Sequence, residues 1–450
     1  MTQNNNLRPS FHITGGQGWI NDPNGLIYFG GKYHAFYQYY PNKTCWGPMH
    51  WGHVISDDLV HWERLPIALY PVVDTNEDGC FSGTTIVHND VLYAFYTGFY
   101  ENGGEENIRQ VQCLASSVDG INFKKHGVII DGKLLPEEYS RCDFRDPKVF
   151  KENDTFYMLV AVRKNGGKGH IVMFKSIDLF NWEFMGDILK EESKGAMIEC
   201  PDYVKDLSLL MYSEQFQPRE GNIHLNIHSC RYEIGDIDLK TAKFNSKNVG
   251  IVDYGFDFYA PQSFSNKNII IGWLNMWDRS NPSEKYGFAG TLTIPRKIEV
   301  VDNILLQKPV WNYSNANVCE VSNTYQTDFK LGAMKLEIDN LSNFELKLRK
   351  LGENYFKVTL TDNEIIFDRS LAGEKITGVE TDDDSLNGIR RMPLLNKEKV
   401  EIEIISDEFS LEFFVNGYSA SFLLYPSVEA KGVELEIDCQ KCVLTTSEFQ

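Results

Sequence analysis

The sequence has no long apolar run and no cluster of basic residues. None of its apolar stretches reaches the roughly 18 residues that a membrane helix needs, so we expect no membrane partner. Lys and Arg number 44 against 63 Asp and Glu, which gives a net charge of −19. Such a charge balance makes nucleic acid an unsuitable partner. A small neutral ligand fits better, and a phosphorylated ligand would need a local basic pocket.

A secretory signature and a disulfide pattern are also missing. The first residues, MTQNNNLRPSFH, contain no basic segment followed by an apolar one. The nine cysteines, an odd number scattered from Cys45 to Cys442, fit a reducing compartment. We therefore expect a cytoplasmic protein. Cys439 and Cys442 form a lone CxxC, and a zinc site would need another such pair nearby.

Three short elements recur about every sixty residues. The first is a Ser-x-Asp turn that ends on an aromatic ring; it begins at Ser56, Ser117 and Ser176, at offsets of 61 and 59 residues. The second is an aromatic run with strand composition: Tyr33-His-Ala-Phe-Tyr37, Leu92-Tyr-Ala-Phe-Tyr96 and Phe156-Tyr-Met-Leu-Val160. Short strands repeated at this interval indicate one small sheet per repeat.

The third element opens each repeat and contains a proline in four of the five units. Its copies are Asn21-Asp22-Pro23, Phe81-Ser82-Gly83, Arg145-Asp146-Pro147, Glu199-Cys200-Pro201 and Tyr259-Ala260-Pro261. Five units with hardly any helical periodicity predict an all-β chain whose first part is a five-bladed β-propeller. We place this domain at residues 1–305.

The pattern changes after this region. Residues 306–324 are polar and irregular and are predicted to be a linker. Strict alternation of apolar and polar residues then returns in 334–338, 344–348, 401–404 and 411–413, which predicts an antiparallel β-sandwich over residues 325–450. Asp382, Asp383 and Asp384 are predicted to lie in a solvated loop.

Acidic residues occupy the opening element of three different units. In a propeller the opening strands line the central axis, so Asp22, Asp146 and Glu199 are predicted to converge although they are far apart in sequence. Each residue alone has a structural explanation, such as a turn at Asp22 or an ion pair of Asp146 with Arg145. Three carboxylates desolvated together are costly, which favours a functional site. The alignment of the prolines puts Cys200, not Glu199, level with Asp22, so we expect a bulge there.

Two nearby carboxyl groups in different environments can hydrolyse a glycosidic bond. The ionised one attacks the anomeric carbon; the buried one is expected to keep a raised pKa, protonate the leaving oxygen and then activate water. Sugar binding also uses aromatic surfaces and hydrogen-bonding side chains, and we predict this role for residues near the opening elements: Trp19, Asn21, Gln38, Trp46, Trp51, Phe81, Ser82, Arg145, Tyr259 and Trp273. His50 and His53 flank Trp51 without a third ligand in phase, so no metal is expected.

The segments around these residues resemble glycoside hydrolase family 32, the β-fructofuranosidases. The matching segments are Trp19–Gly25, Gln38–Pro41, Trp51–His53, Phe81–Gly83, Arg145–Pro147, Glu199–Pro201, Asp257–Gln262, Ile271–Trp273, Phe367–Ser370 and Glu412–Gly417. The resemblance implies a five-bladed propeller followed by a β-sandwich, retention of configuration and no cofactor. It implies that Asp22 is the nucleophile, Glu199 the general acid/base and Asp146 the transition-state stabiliser, with Asn21, Gln38, Trp46, Phe81 and Ser82 shaping the fructose subsite.

The substrates implied are sucrose, sucrose 6-phosphate and short fructans. Ile198 and Phe288 replace tryptophans that are common in the family, and we expect any effect of this on the leaving-group side. Two alternatives stay open: an inverting arabinan or xylan hydrolase on a similar propeller, and a sugar-binding propeller without catalysis. The leaving group, the balance between hydrolysis and transfer, and the oligomeric state are not determined by the sequence.

Overall fold

The structure, a computed structural model, is all-β, as predicted from the sequence. It describes residues 8–72, 76–101, 108–221, 223–378, 386–394 and 396–449. The predicted acidic loop at Asp382, Asp383 and Asp384 lies outside these ranges. The described ranges contain short 3-10 helices at Gly132–Leu134, Lys205–Leu207 and Pro282–Tyr286. Within the described ranges, no helix has the length and apolar character needed to cross a membrane.

Five small sheets follow one another along the chain. Sheet 1 contains β1 (Gly18–Phe29), β2 (Lys32–Tyr40), β3 (His50–Ser56) and β4 (Glu63–Leu69). Sheet 2 contains β5 (Gly79–His88), β6 (Val91–Tyr100), β7 (Arg109–Ser117) and β8 (Lys124–Ile130). Sheet 3 contains β9 (Tyr139–Glu152), β10 (Thr155–Lys164), β11 (Gly169–Ser176) and β12 (Glu183–Asp187).

Sheets 4 and 5 continue the series. Sheet 4 contains β13 (Ile198–Val204), β14 (Leu209–Gln215), β15 (His228–Asp238) and β16 (Lys243–Ile251). Sheet 5 contains β17 (Tyr259–Ser263), β18 (Ile269–Trp273), β20 (Arg296–Val301) and β21 (Ile304–Pro309). The intervening β19 (Phe288–Ala289) leaves sheet 5 and pairs in parallel with β1, with Gly18 opposite Phe288.

The first strands of the five sheets form a closed ring. β1 contacts β5, β5 contacts β9, β9 contacts β13, β13 contacts β17, and β17 contacts β1. Neighbouring sheets also share buried apolar cores; one core, for example, joins Phe36 and Trp51 of sheet 1 to Tyr96 of sheet 2. Residues at the same end of these first strands are therefore brought together, whatever their separation in sequence.

The repeated Ser-x-Asp element forms the same turn each time. Ser56 Oγ accepts a hydrogen bond from the Leu59 amide at 2.8 Å, and Asp58 Oδ1 accepts one from the His61 amide at 2.8 Å. The equivalent bonds form at Ser117 and Asp119 and at Ser176 and Asp178. The fourth residue of the turn has a left-handed backbone, with φ of 70° at Leu59, 75° at Gly120 and 71° at Leu179.

The remaining strands form two six-stranded antiparallel sheets. One contains β22 (Asn317–Glu320), β24 (Gly332–Asp339), β29 (Lys399–Asp407), β30 (Ser410–Val415), β31 (Tyr418–Leu423) and β33 (Lys441–Glu448). The other contains β23 (Thr324–Asp328), β25 (Asn343–Leu351), β26 (Asn354–Leu360), β27 (Glu364–Leu371), β28 (Ile389–Pro393) and β32 (Gly432–Asp438). The segments predicted from alternation lie in β24, β25, β29 and β30.

The two large sheets pack face to face through aromatic rings. Phe413 of β30 lies 5.5 Å from Phe356 of β26 and 4.9 Å from Phe367 of β27, measured between ring centroids. β21 continues to Pro309, and β22 already pairs with β33, so the segment predicted as a linker contains the end of one strand and all of another. Residues 310–316, between these strands, have no regular secondary structure.

A buried charged network joins the N-terminal segment, sheet 5 and the sandwich. His12 lies 2.8 Å from both Asp407 and Glu412, one carboxylate at each ring nitrogen. Arg296 of β20 bonds the other oxygen of Glu412 and also bonds Asp253 at 3.0 Å. All of these side chains are completely buried. Buried charges are tolerated only when paired, so the network requires all its members together.

His12 is therefore expected to make stability fall at alkaline pH. Burial alone would lower its pKa, but hydrogen bonds to Asp407 and Glu412 raise it to about 9. Because the pKa of His12 is higher in the folded than in the unfolded state, the protonated ring stabilises the fold fully below pH 6.5. This contribution to the free energy of unfolding, about 3 kcal/mol, is lost as the pH rises through about 9.

We expect the melting temperature of the wild-type protein to fall more steeply between pH 6.5 and pH 9.5 than that of His12→Gln, measured by calorimetry. The control His88→Gln, which changes a histidine outside the network, should keep the wild-type slope. Equal slopes for the wild type and His12→Gln would contradict the assignment.

Candidate active site

A β-bulge lies at the opening element of each first strand. The pairing register shifts between Ile20 and Pro23 in β1, between Phe81 and Gly83 in β5, and between Glu199 and Asp202 in β13. The equivalent shifts in sheets 3 and 5 lie beside Asp146 and Ala260. An extra residue in one strand bends it and changes which side chain faces a given side. The bulge expected from the offset of Cys200 and Glu199 is therefore present.

Asp22 accepts hydrogen bonds from three neighbours. Its Oδ1 accepts from Asn21 Nδ2 at 3.1 Å, and its Oδ2 accepts from Ser82 Oγ at 2.6 Å. The thiol of Cys200 lies 3.4 Å from the same Oδ2. Sheets 1, 2 and 4 thus meet at this carboxylate. Charge-assisted hydrogen bonds of this kind hold an anion in a fixed orientation.

Asp146 lies on the other side of Cys200. Its Oδ2 accepts from the Cys200 amide at 2.9 Å, and the Cys200 thiol lies 3.6 Å away. The Asp146 amide donates to Thr97 Oγ1 at 2.9 Å. Asp146 and Cys200 both have a left-handed backbone, with φ of 65° and 49°. Such strained conformations occur where the surrounding contacts hold them, often at functional sites.

Glu199 is held by an arginine and a tyrosine. Arg145 donates to Glu199 Oε1 from Nη2 at 3.0 Å and from Nε at 3.3 Å. The Tyr259 hydroxyl donates to Oε2 at 2.7 Å. Arg145 is itself positioned by Asp143 and Gln110. All the polar atoms of this carboxylate are therefore engaged before any ligand is bound.

The three carboxyl groups differ in protonation tendency. Burial, and next the charge of Glu199, raises the pKa of Asp22, although hydrogen bonds from Ser82 and Asn21 oppose the rise. Burial raises the pKa of Asp146 to about 7, against the opposing charge of Arg145. The pKa of Glu199 moves the other way: burial favours the neutral form, but Arg145 and Tyr259 bring its pKa below the ordinary value.

The expectation of a raised pKa at the predicted proton donor, Glu199, is thus wrong. The reason is the pair of donors, Arg145 and Tyr259, which stabilise the anion more than burial destabilises it. Neither contact was predictable from the local sequence, because Tyr259 is 60 residues away. Weakening either contact would therefore favour protonation of Glu199.

Four of the predicted substrate-binding residues contact the acids directly. Asn21 and Ser82 bond Asp22, while Arg145 and Tyr259 bond Glu199. Asn21 in turn accepts a hydrogen bond from Trp19 Nε1 at 2.9 Å. These side chains come from the first strands of sheets 1, 2, 3 and 5. They define the immediate surroundings of the acids.

Three other predicted residues lie around Phe81, which is itself predicted to bind substrate and is next to Ser82. Trp46, 45% exposed, lies 5.7 Å from Phe81 in an edge-to-face arrangement. Gln38 donates to the Cys80 carbonyl at 3.1 Å, and Trp51 donates to the Phe81 carbonyl at 3.0 Å. Trp51 is fully buried and offers no surface to a sugar. We therefore expect Gln38 and Trp51 to position the backbone beneath Phe81.

Trp273 belongs to an aromatic cluster beside Asn21. It is fully buried and lies 5.6 Å from Trp19 and 5.0 Å from Trp277, between ring centroids. Its position supports Trp19, which holds Asn21. A direct sugar contact by Trp273 is not available in this conformation, so we expect it to act through Trp19.

Sequence reasoning missed the role of three neighbours of the acids. Cys200 contacts both aspartates, Thr97 anchors the Asp146 backbone, and His228 lies 5.6 Å from the Tyr259 ring. Only Cys200 had a signal, its alignment with Asp22 in the repeat. His53 forms a 3.0 Å hydrogen bond with His34 in the core, and no group of three possible metal ligands lies together in the described part of the chain.

Comparison with known proteins agrees with the site. Residues 12–309 match the glycosyl hydrolases family 32 N-terminal domain. The sucrose-6-phosphate hydrolase of Zymomonas mobilis is 37% identical, covering 94% of this chain and 88% of the relative. An Escherichia coli sucrose-6-phosphate hydrolase is 35% identical over 96% of this chain and 92% of its own.

Solved structures extend the comparison to the whole described fold. The sucrose-6-phosphate hydrolase of Lactobacillus gasseri has a TM-score of 0.89 and 26% identity, covering 99% of this chain and 94% of its own. The Bombyx mori β-fructofuranosidase has a TM-score of 0.84 and 30% identity, with the same coverage. The resemblance drawn from the sequence is confirmed, and the chain belongs to glycoside hydrolase family 32.

Proposed function

We propose that the protein is a retaining β-fructofuranosidase. It hydrolyses the terminal β-D-fructofuranosyl residue of sucrose, sucrose 6-phosphate or short fructans. The observation that carries this proposal is the single hydrogen-bonded network in which Cys200 contacts Asp22 and Asp146 while the adjacent Glu199 bonds Arg145 and Tyr259. The relatives named as sucrose-6-phosphate hydrolases and a raffinose invertase support the substrate class.

The fold supports this function through a five-bladed propeller. We infer that the five small sheets are its blades; the closed ring of contacts between their first strands supports this. The catalytic domain comprises about residues 1–305, followed by a short connection and the sandwich. Each acid stands on the first strand of a different blade: Asp22 on β1, Asp146 on β9 and Glu199 on β13.

Reaction begins with attack of an Asp22 oxygen on the anomeric carbon of the fructosyl ring. The bond from this carbon to the leaving oxygen breaks, and Glu199 donates its proton to that oxygen. Glu199 then removes a proton from water, whose oxygen attacks the anomeric carbon and releases Asp22. Two inversions give net retention. Hydrogen bonds from Ser82 and Asn21 aim Asp22 and oppose the rise in its pKa that burial causes.

Asp146 and Arg145 hold the fructosyl hydroxyls and stabilise the positive charge that develops on the ring. Arg145 has a second task, because in the ligand-free protein it bonds Glu199. When Arg145 turns towards the sugar hydroxyls, Glu199 loses its strongest stabilising charge and its pKa rises. Substrate binding thereby prepares the proton donor.

We also propose that the enzyme works in the cytoplasm. All nine cysteines are unpaired in the structure, and Cys200 contributes a reduced thiol to the contacts of two catalytic acids. A reducing compartment preserves such thiols. No nucleic acid or membrane has a part in the reaction.

The substrate panel is the first test. Purified protein should release fructose from sucrose, sucrose 6-phosphate or 1-kestose, and NMR should detect the β-anomer of fructose first, because the mechanism retains configuration. Inulin and levan test chain length. Release of the α-anomer first would support an inverting mechanism, and no product from any β-fructoside would overturn the proposal.

Replacing the proton donor tests its assignment. Glu199→Gln keeps the shape of the side chain but cannot deliver a proton, so kcat should fall by about 10²–10⁴. Glu183→Gln, at an exposed position in β12, is the matched control and should keep the wild-type rate. A nearly normal kcat for Glu199→Gln would mean that another group donates the proton.

Tyr259→Phe tests the electrostatics of the proton donor. The tyrosine hydroxyl stabilises the ionised form of Glu199, so its removal should raise the pKa of Glu199. The alkaline limb of kcat/KM against pH should move upward by about half to one unit. Tyr93→Phe, on β6 away from the acids, should leave the profile in place. A downward shift for Tyr259→Phe would show that another group controls this limb.

A further inference from the structure

Phe216 combines two properties that seldom occur together. Its side chain is 56% exposed, and its backbone has φ of 54°, in the left-handed region. An exposed aromatic ring is unremarkable by itself. A bulky residue in the left-handed region is strained, because its Cβ approaches the backbone. Among the residues that the structure describes, Phe216 is the only Phe, Tyr or Trp with such a backbone.

Other large residues with this backbone are compensated by burial. Leu59 and Leu179, with φ of 70° and 71°, are only 4% and 1% exposed and pack in apolar cores. Asparagine and aspartate, which account for most of the remaining positions, tolerate the conformation. Phe216 has neither form of compensation within the chain. Strain that the fold does not offset is a reason to look for a function.

The position of Phe216 is close to the proton donor. Glu199 pairs with Ser213 across β13 and β14, and Phe216 follows three residues later, about 10 Å along the strand direction. The Phe216 ring is perpendicular to His228 at 4.8 Å, and His228 lies 5.6 Å from Tyr259, which bonds Glu199. A continuous row of rings therefore runs from Glu199 to an exposed phenyl group.

Contacts on both sides hold this row in place. The Phe216 amide donates to the Ile227 carbonyl at 3.1 Å and lies 3.1 Å from His228 Nδ1. Burial lowers the pKa of His228, although the charge of Glu199 opposes this, which favours the neutral imidazole. A neutral ring packs against aromatic neighbours without attracting a counterion. The phenyl group of Phe216 is thus presented in a fixed orientation.

We propose that Phe216 is the stacking platform for the sugar ring that leaves in the reaction. This inference rests on the proposed function. Glu199 must lie beside the leaving oxygen to protonate it, so the ring attached to that oxygen extends from Glu199 away from Asp22. A hexose at that point covers the distance to Phe216. Its apolar C–H face packs on the phenyl group, and this contact compensates the strained backbone.

Product inhibition separates the two sides of the cleaved bond. Fructose occupies the site of the acids, whereas glucose and glucose 6-phosphate occupy the leaving-group side. In Phe216→Gly, the inhibition constants for glucose and glucose 6-phosphate should rise about tenfold, as expected when one apolar face loses its partner. The constant for fructose should stay within about twofold. Phe216→Leu, apolar but not flat, should fall between the wild type and Phe216→Gly.

Thermal stability separates a binding role from a structural one. Glycine accepts φ of 54° without strain, so Phe216→Gly should melt at the wild-type temperature or slightly above it. A structural phenylalanine would instead give a lower melting temperature. Phe180→Ala, an exposed aromatic in the Ser176 turn, is the matched control and should leave every constant unchanged.

Unchanged glucose inhibition in Phe216→Gly, or an equal rise in the fructose constant, would overturn the platform. Reduced melting temperature with unchanged inhibition would assign Phe216 to the fold alone. These outcomes are distinct from failure of the proposed function, which would appear as wild-type protein that releases no fructose from any β-fructoside.

Discussion

Three carboxylates withdrawn from water at one place repel one another, and the surroundings of the site are organised around this repulsion. Each acid receives at least one hydrogen bond from a sheet other than its own: from Ser82 to Asp22, from the Cys200 amide to Asp146, and from Tyr259 to Glu199. The only cation in direct contact with them in the described structure is Arg145, which bonds Glu199. The three acids differ in their tendency to be protonated, because each has a different set of hydrogen-bond partners.

Regular spacing explains why so much of this architecture was predictable. A turn or a strand depends mainly on residues that are adjacent in sequence. The turns at Ser56, Ser117 and Ser176 could therefore be predicted from their Ser-x-Asp motifs, and β24 from the alternation in 334–338. The acids were found because a repeat places equivalent positions at one end of a ring. Residues at equivalent positions of the sequence repeat are therefore close to one another in the structure.

Features that depend on a few long-range contacts were beyond such reasoning. The direction of the Glu199 pKa shift depends on Arg145 and Tyr259, which are 54 and 60 residues away in sequence. The alkaline-sensitive network depends on the contact of His12 with residues some 400 positions later, and Trp51 proved to be buried. The strain at Phe216 comes from its backbone φ, which cannot be predicted from composition or periodicity. Local patterns determine elements, whereas side-chain partners are determined by how distant elements meet.

The parallel pairing of β19 with β1 sets an order of events during synthesis. The two-residue strand at Phe288–Ala289 has to leave the ribosome before β1 gains its parallel partner. At about 5–20 residues per second, that delay is about 15–60 s. During this time the edge of β1 opposite β2 has no hydrogen-bonded strand beside it. A nascent chain of this protein therefore carries an unpaired strand edge for a period set by translation.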